Sequence, residues 1–188
     1  MKSDFFAFHF SLLKRKKDNL MKKLPLKKYI FFISVIFAGI GIDQLTKWLA
    51  VRFIMPKGTI PIIEGALHLT YAENKGAAFS MLSDSRWVFM SISTVAIIAL
   101  SVFLFSGRVS SRLYEVSISM IISGGIGNMI DRIALGYVVD FIDFRLIDFA
   151  IFNGADSFVC VGAGMLILAL VLDIIKESKL QKEKKNDK

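Results

Sequence analysis

The sequence predicts an all-α membrane protein: four transmembrane helices, a small β-sheet in the link after the first helix, and a loop before the fourth. Three observations predict it. The 188-residue chain is 54% hydrophobic with a mean hydropathy of +0.57, above the roughly 45–50% apolar content of a soluble domain. The excess is gathered in four runs long enough to cross a bilayer, which takes about 17–25 residues each. The basic residues are blocked as well. Nine Lys/Arg fall in residues 1–28, two sit at Arg108 and Arg112, and six follow from Lys176 on, leaving seven for the other two links. Basic residues stay on the cytoplasmic side. Both termini are therefore expected inside, with links 47–86 and 132–156 facing outward. The net charge of +8 is read as orientation and lipid headgroup contact, not as a nucleic-acid surface.

Residues 1–20 read as a dispensable N-terminal extension, with Met21 a natural start. The apolar patch Phe5–Leu13 is too short to span and suits an interfacial helix. One domain is expected over 21–176, and a basic, disordered cytoplasmic tail over 177–188. Helix one runs from about Tyr29 to Trp48. A basic flank before an apolar run is also a signal-peptide pattern. No small-x-small cleavage site follows, so the helix is read as uncleaved, with Trp48 as its interfacial anchor.

Link 52–85 is punctuated by Pro56, Gly58, Pro61 and Gly65. Ile60/Ile62 and Leu67/Leu69/Tyr71 alternate with other residues at period two, which predicts short strands in a sheet on the membrane surface. Asn74–Ser80 closes the link. Helix two covers about Trp87–Phe105, and Gly107 makes the inner turn. Helix three covers about Tyr114–Ile133 and carries Ser123-Gly124-Gly125-Ile126-Gly127, small residues that let helices approach closely in lipid. Link 134–156 reads as a loop carrying Asp140, Asp143, Arg145 and Asp148. Helix four covers about Ser157–Ile175. There is no internal repeat.

Metal and nucleophile chemistry are poorly supplied. The chain has two histidines, His9 and His68, and no His-Glu-x-x-His helix. His68 reads as a surface strand residue. Cys160, the single cysteine, cannot form an internal disulfide and reads as a small apolar packing residue. No metal or cofactor is expected. Carboxylates remain, and an ionisable group at the membrane boundary is expensive enough to imply a function. Nine lie outward from Asp43 on: Asp43, Glu64, Glu73, Asp84, Asp131, Asp140, Asp143, Asp148 and Asp156. Two carboxylates sharing a site hold one proton between them. The charged one draws a proton from water while the neutral one donates to a carbonyl, a route to peptide hydrolysis without metal.

On the residues alone the pair stays open. Asp140 reads equally as a loop residue, and Asp156 as a helix cap. Asp43 and Lys47, four apart, suit an interface salt bridge. Asn128 and Asp131 share a helix face, and Asp131 beside Arg132 suits a structural charge. A small transporter, with Asp43, Asp131 and Asp140 lining a polar path, and a membrane scaffold are the rival readings. Acids clustered at one face, without repeat symmetry, count against the transporter.

Five runs in order carry a resemblance: Asp43-Gln44-Leu45-Thr46-Lys47, Asn74-Lys75-Gly76-Ala77-Ala78-Phe79, Gly127-Asn128-Met129-Ile130-Asp131-Arg132, Val138-Val139-Asp140-Phe141 and Phe152-Asn153-Gly154-Ala155-Asp156-Ser157. Together the chain from about Lys22 to Ile175 resembles the lipoprotein signal peptidase (signal peptidase II, LspA) family. The resemblance implies an aspartic endopeptidase of the bacterial inner membrane, with both termini cytoplasmic and the active site near the periplasmic face. It implies cleavage of diacylglyceryl prolipoproteins just before the lipidated cysteine, and inhibition by globomycin. Asp140 and Asp156 would form the dyad. Asn74, Asn128, Arg132 and Asn153 would position substrate and dyad, with Asp43, Lys47 and Asp131 in support. A monomer in contact with membrane lipid is expected. Gly154 departs from the family, which more often has a branched apolar residue there. The sheet would lie beneath or beside the substrate, and loop 141–152, rich in Phe and Ile, would close over it as a lid.

Overall fold

The computed structural model describes residues 24–76, 86–109 and 111–186. The N-terminal extension, the apolar patch at 5–13 and the end of the Asn74–Ser80 run fall outside them. Among the described residues there are four long helices: α1 (Leu26–Leu49), α2 (Arg86–Phe105), α3 (Arg112–Ala134) and α4 (Gly154–Asn186). Three of them are long and apolar enough to cross a membrane. In α2 the apolar stretch Met90–Phe105 is shorter.

Helix α3 is the central helix, packed against α1, α2 and α4. Half of its most apolar stretch is buried, against 17% for α1 and 11% for α4. Its small residues explain the position. A Cβ on Gly124 would collide with the Ala155 carbonyl of α4, and one on Gly127 with the Asp43 carboxylate of α1. Glycine at both places therefore lets neighbouring backbones and buried polar groups come in close. Phe32, Ile36, Leu104, Ile118 and Ile122 form the apolar core between the helices. The outer faces expose Phe37, Val95, Val102, Ile167 and Ile174, the arrangement of a bundle whose solvent is lipid.

Three strands lie together at one end of the bundle: β1 (Thr59–Ile63), β2 (Leu67–Asn74) and β3 (Val138–Phe144). All pair antiparallel in the order β1-β2-β3. The period-two runs thus form strands as expected, while the link before helix four is not a plain loop. Val138-Val139-Asp140-Phe141-Ile142 is β-branched and aromatic apart from its aspartate, and it supplies the third strand. One face of the sheet rests on the π-helical turn Ala50–Ile54 that follows α1, where Ala50 and Ile54 pack with Val139, Phe141, Leu69 and Tyr71. In register, Ala72 stands opposite Asp140 and Asn74 opposite Val138.

The expected lid is tied down. Ile142 and Phe152 exchange backbone hydrogen bonds at 2.8 and 3.1 Å, Leu146 donates to the Ala66 carbonyl, and Phe144 stacks on Phe152. The segment after β3 is thereby stitched to the sheet. The tail also differs from expectation. Helix α4 runs on through the lysines to Asn186, so residues 177–186 are helical rather than irregular.

Candidate active site

The site lies where the ends of α1 and α3, strands β2 and β3, and the start of α4 converge. Its base is a buried ion cluster. Lys47 is 3% exposed and directs its ammonium at three acceptors: Asn128 Oδ1 at 2.8 Å, Asp43 Oδ2 at 2.9 Å and Asp131 Oδ2 at 3.1 Å. Three protons meet three acceptors, the condition under which a buried ammonium is tolerated. Asp43 and Lys47 do form the expected i,i+4 pair, but in the interior and with Asp131 as a third member. Asp131 takes Lys47 and the Val139 N–H as partners rather than Arg132. Adjacent helical residues diverge by about 100°, so Arg132 points elsewhere. Its guanidinium donates to the Asn128 carbonyl and senses the charges of Asp156 and Asp140.

Helix α4 starts with a reciprocal cap. Asp156 N–H donates to Asn153 Oδ1 at 3.0 Å, and Asn153 N–H donates to Asp156 Oδ2 at 3.2 Å. This is a capping box, here closed by aspartate at the third helical position. The N-cap residue is thus Asn153, with Asp156 closing the box from inside the helix, and Asp156 Oδ1 is left to accept from Asn128 Nδ2 at 2.7 Å. The same Asn153, fully buried, turns its amide nitrogen to Asp140 Oδ1 at 2.6 Å and Asn128 Oδ1 at 3.0 Å. Asn74 Nδ2 donates to Asp140 Oδ2 at 3.0 Å.

Asp140 and Asp156 therefore meet across one asparagine, in unequal surroundings. Asp140 is 2% exposed, whereas Asp156 is only half-buried. Burial pushes the Asp140 carboxyl up to about 6. The charge of Asp156 adds to the rise, and the amides of Asn74 and Asn153 and the charge of Lys47 oppose it. The Asp140 carboxyl is thus brought to titrate at about 6, close below neutrality, while Asp156 accepts from Asn128 and the Asn153 N–H.

All nine residues singled out in sequence, Asp43, Lys47, Asn74, Asn128, Asp131, Arg132, Asp140, Asn153 and Asp156, fall in this one region. Asp143 and Asp148 do not. Asp143 accepts from Thr70 and Arg145, and Asp148 sits on an αL turn. Gln44 was missed as a site residue: its amide bridges Asp43 and Asp131. His68 is not a surface residue. It is 4% exposed, and neither ring nitrogen has a hydrogen-bond partner among the described residues. Cys160 is exposed on α4 rather than packed inside. Among the described residues no cluster suits a metal ion.

Fold and site together define a helical membrane protein with paired carboxylates at the sheet-bearing end of its bundle. Comparison with known proteins gives the family. Residues 35–172 match the model of Signal peptidase (SPase) II. The chain is 46% identical over 134 residues to the lipoprotein signal peptidase of Caldanaerobacter subterraneus subsp. tengcongensis, covering 71% of this chain and 91% of that protein. It is 40% identical over 157 residues to that of Halalkalibacterium halodurans, covering 82% and 98%. A solved bacterial membrane enzyme at 2.3 Å resolution superposes with a TM-score of 0.68 at 35% identity, over 77% of this chain and 89% of the other. The chain belongs to the signal peptidase II family, a family of membrane proteases. The transporter and scaffold readings are not favoured.

Proposed function

We propose that this chain is an aspartic endopeptidase that removes the signal peptide from diacylglyceryl-modified prolipoproteins, cutting just before the lipidated cysteine. The observation that carries the reading is Asn153, which hydrogen-bonds Asp140 through its side chain and Asp156 through its backbone. In the reaction Asp156, charged, takes a proton from a water held between the two carboxyls. Asp140, protonated, donates to the carbonyl oxygen of the scissile bond. The resulting gem-diol collapses as Asp156 passes the proton it took from water to the leaving amine, the C–N bond breaks, and Asp140 takes back a proton from a hydroxyl of the diol. Asn128 holds Asp156 Oδ1 and Asn74 holds Asp140 Oδ2, and Arg132 offsets the summed negative charge of the dyad.

Helix α2 serves as the fourth span. Its 20 residues rise about 30 Å at 1.5 Å each, the thickness of the hydrocarbon core. Four crossings put both termini in the cytoplasm, where the basic segments belong. The sheet and the dyad then stand at the periplasmic face of the inner membrane. A signal peptide ends its apolar stretch at that depth, and the lipid on the next residue holds the bond there. The enzyme acts as a monomer in contact with membrane lipid, and globomycin inhibits it.

The test is cleavage of a diacylglyceryl prolipoprotein peptide by the purified chain, with Asp140→Asn and Asp156→Asn beside it and with globomycin added. Cleavage is expected to need the lipid and both aspartates, and to stop with the inhibitor. Turnover by either variant at the rate of the parent would remove that residue from the dyad.

A further inference from the structure

Resting on the dyad reading above, we propose that Gln44 is a positioning residue for both dyad aspartates, acting through Asp43 and Asp131. Each of those two carboxylates grips the backbone N–H immediately before a dyad residue. Asp43 Oδ1 accepts from Ala155 N at 2.8 Å, one residue before Asp156. Asp131 Oδ2 accepts from Val139 N at 3.0 Å, one residue before Asp140. The separation of Asp43 from Asp131 therefore sets the separation of the two chain segments that carry the dyad.

Two side chains fix that separation. Lys47 bridges the two carboxylates at 2.9 and 3.1 Å. On another side Gln44 Nε2 lies 3.1 Å from Asp43 Oδ2, 3.1 Å from Asp131 Oδ1 and 3.2 Å from the Gly127 carbonyl. An amide nitrogen has two protons for these three acceptors, so its donating capacity is fully engaged. The charge count explains why this donor is neutral. Two carboxylates share one ammonium, so each needs a further donor to keep its oxygens paired. A second cation would satisfy the carboxylates but would add positive charge beside Asp140. Gln44 donates without adding charge. The charged groups facing it are Asp43 and Lys47 on α1 and Asp131 on α3.

The test uses the full chain in detergent and the diacylglyceryl prolipoprotein peptide. kcat and KM are measured from mildly acidic to mildly alkaline pH for the parent, Gln44→Met and Gln44→Glu, with Asp140→Asn as the inactive control. Gln44→Met is expected to lose about tenfold or more in kcat, the loss of a hydrogen bond to a charged group, with KM nearly unchanged. Gln44→Glu is expected to approach the parent at the acid end, where a protonated carboxyl still donates. It should fall away at higher pH, where a third negative charge opposes Asp43 and Asp131. A parent-shaped pH profile for Gln44→Glu, or parental kcat for Gln44→Met, overturns the inference. So does a loss in Gln44→Met that matches only its loss of folded protein while Gln44→Glu keeps the parental profile. A folded parent that leaves the peptide uncut sinks the peptidase reading, and this inference with it.

Discussion

Asp140→Asn is expected to raise stability while it abolishes cleavage. Burial moves the Asp140 carboxyl from 3.8 to about 6, which at 1.36 kcal/mol per pH unit puts the cost of its charge near about 3 kcal/mol. The folded pKa lies above the unfolded one, so between 3.8 and about 6 the folded state binds more protons. Stability therefore falls as pH rises through that window, and the cost is complete above it. Asparagine carries no charge at any of these pH values. It keeps an acceptor for Asn153 but turns an amide nitrogen toward Asn74, whose own nitrogen now donates to Asp140 Oδ2. Losing that hydrogen bond costs about 1 kcal/mol. The net gain is about 2 kcal/mol at neutral pH, worth roughly 4–8 °C for a chain of this size. Thermal melts followed by the fluorescence of Trp48 and Trp87 at neutral and at acid pH measure it. The variant should melt higher than the parent at neutral pH, with the gap closing and reversing below the window. A variant that melts lower at neutral pH, or a gap that ignores pH, would refute the assignment of the burial cost to Asp140.

Asp156→Asn should be equally inactive but should shift the melt the other way. It gives up a carboxylate at the start of α4 and part of the capping box, for a loss of about 1 kcal/mol that the same fluorescence melts would register. Gly127→Ala places a Cβ against the Asp43 carboxylate; overpacking of this kind costs roughly 1–3 kcal/mol, and a steady-state cleavage assay should show activity falling with it. Asp143→Asn should retain most activity, since Asp143 is held by Thr70 and Arg145 and lies outside the dyad network; an inactive variant in the same peptide assay would reopen the choice of dyad.

The helices were legible because each is a long apolar run, and the first two strands because their alternation is local. The third strand was not legible, for a physical reason. Val138–Phe144 carries two aspartates, a residue depleted from strands, and its pairing with Leu67–Asn74 joins segments more than sixty residues apart. Aspartate survives there because each one has a specific donor: Asn74 and Asn153 for Asp140, Thr70 and Arg145 for Asp143. His68 was misjudged by the same route. A residue on β2 looks half-exposed until β3 is laid beside it, with Asp143 opposite. The residues singled out in sequence fall together in one region, and Asp43 and Lys47 pair as expected, but the partner of Asp131 differs. Sequence adjacency suggested Asp131 with Arg132, whereas helix geometry turns Asp131 toward Lys47 one helix away.

Burial alone does not assign roles within this set, as Asp43 and Asp140 demonstrate. Both are almost wholly removed from solvent, at 0% and 2% exposure. Asp43 meets an ammonium, an amide and a backbone N–H, so its charge is compensated where it stands. Among the described residues the Asp140 carboxyl meets two neutral amides, with Lys47 and Asp156 acting on it through their charges. The difference is a direct cation, and it separates a carboxylate that holds the frame from one that burial makes titrate at about 6. Moving the lysine's partnership from Asp43 to Asp140 would fix the charge on the acid and leave the frame uncompensated. A hydrolytic pair needs the opposite: one carboxyl poised to donate, and a rigid, fully paired support beside it.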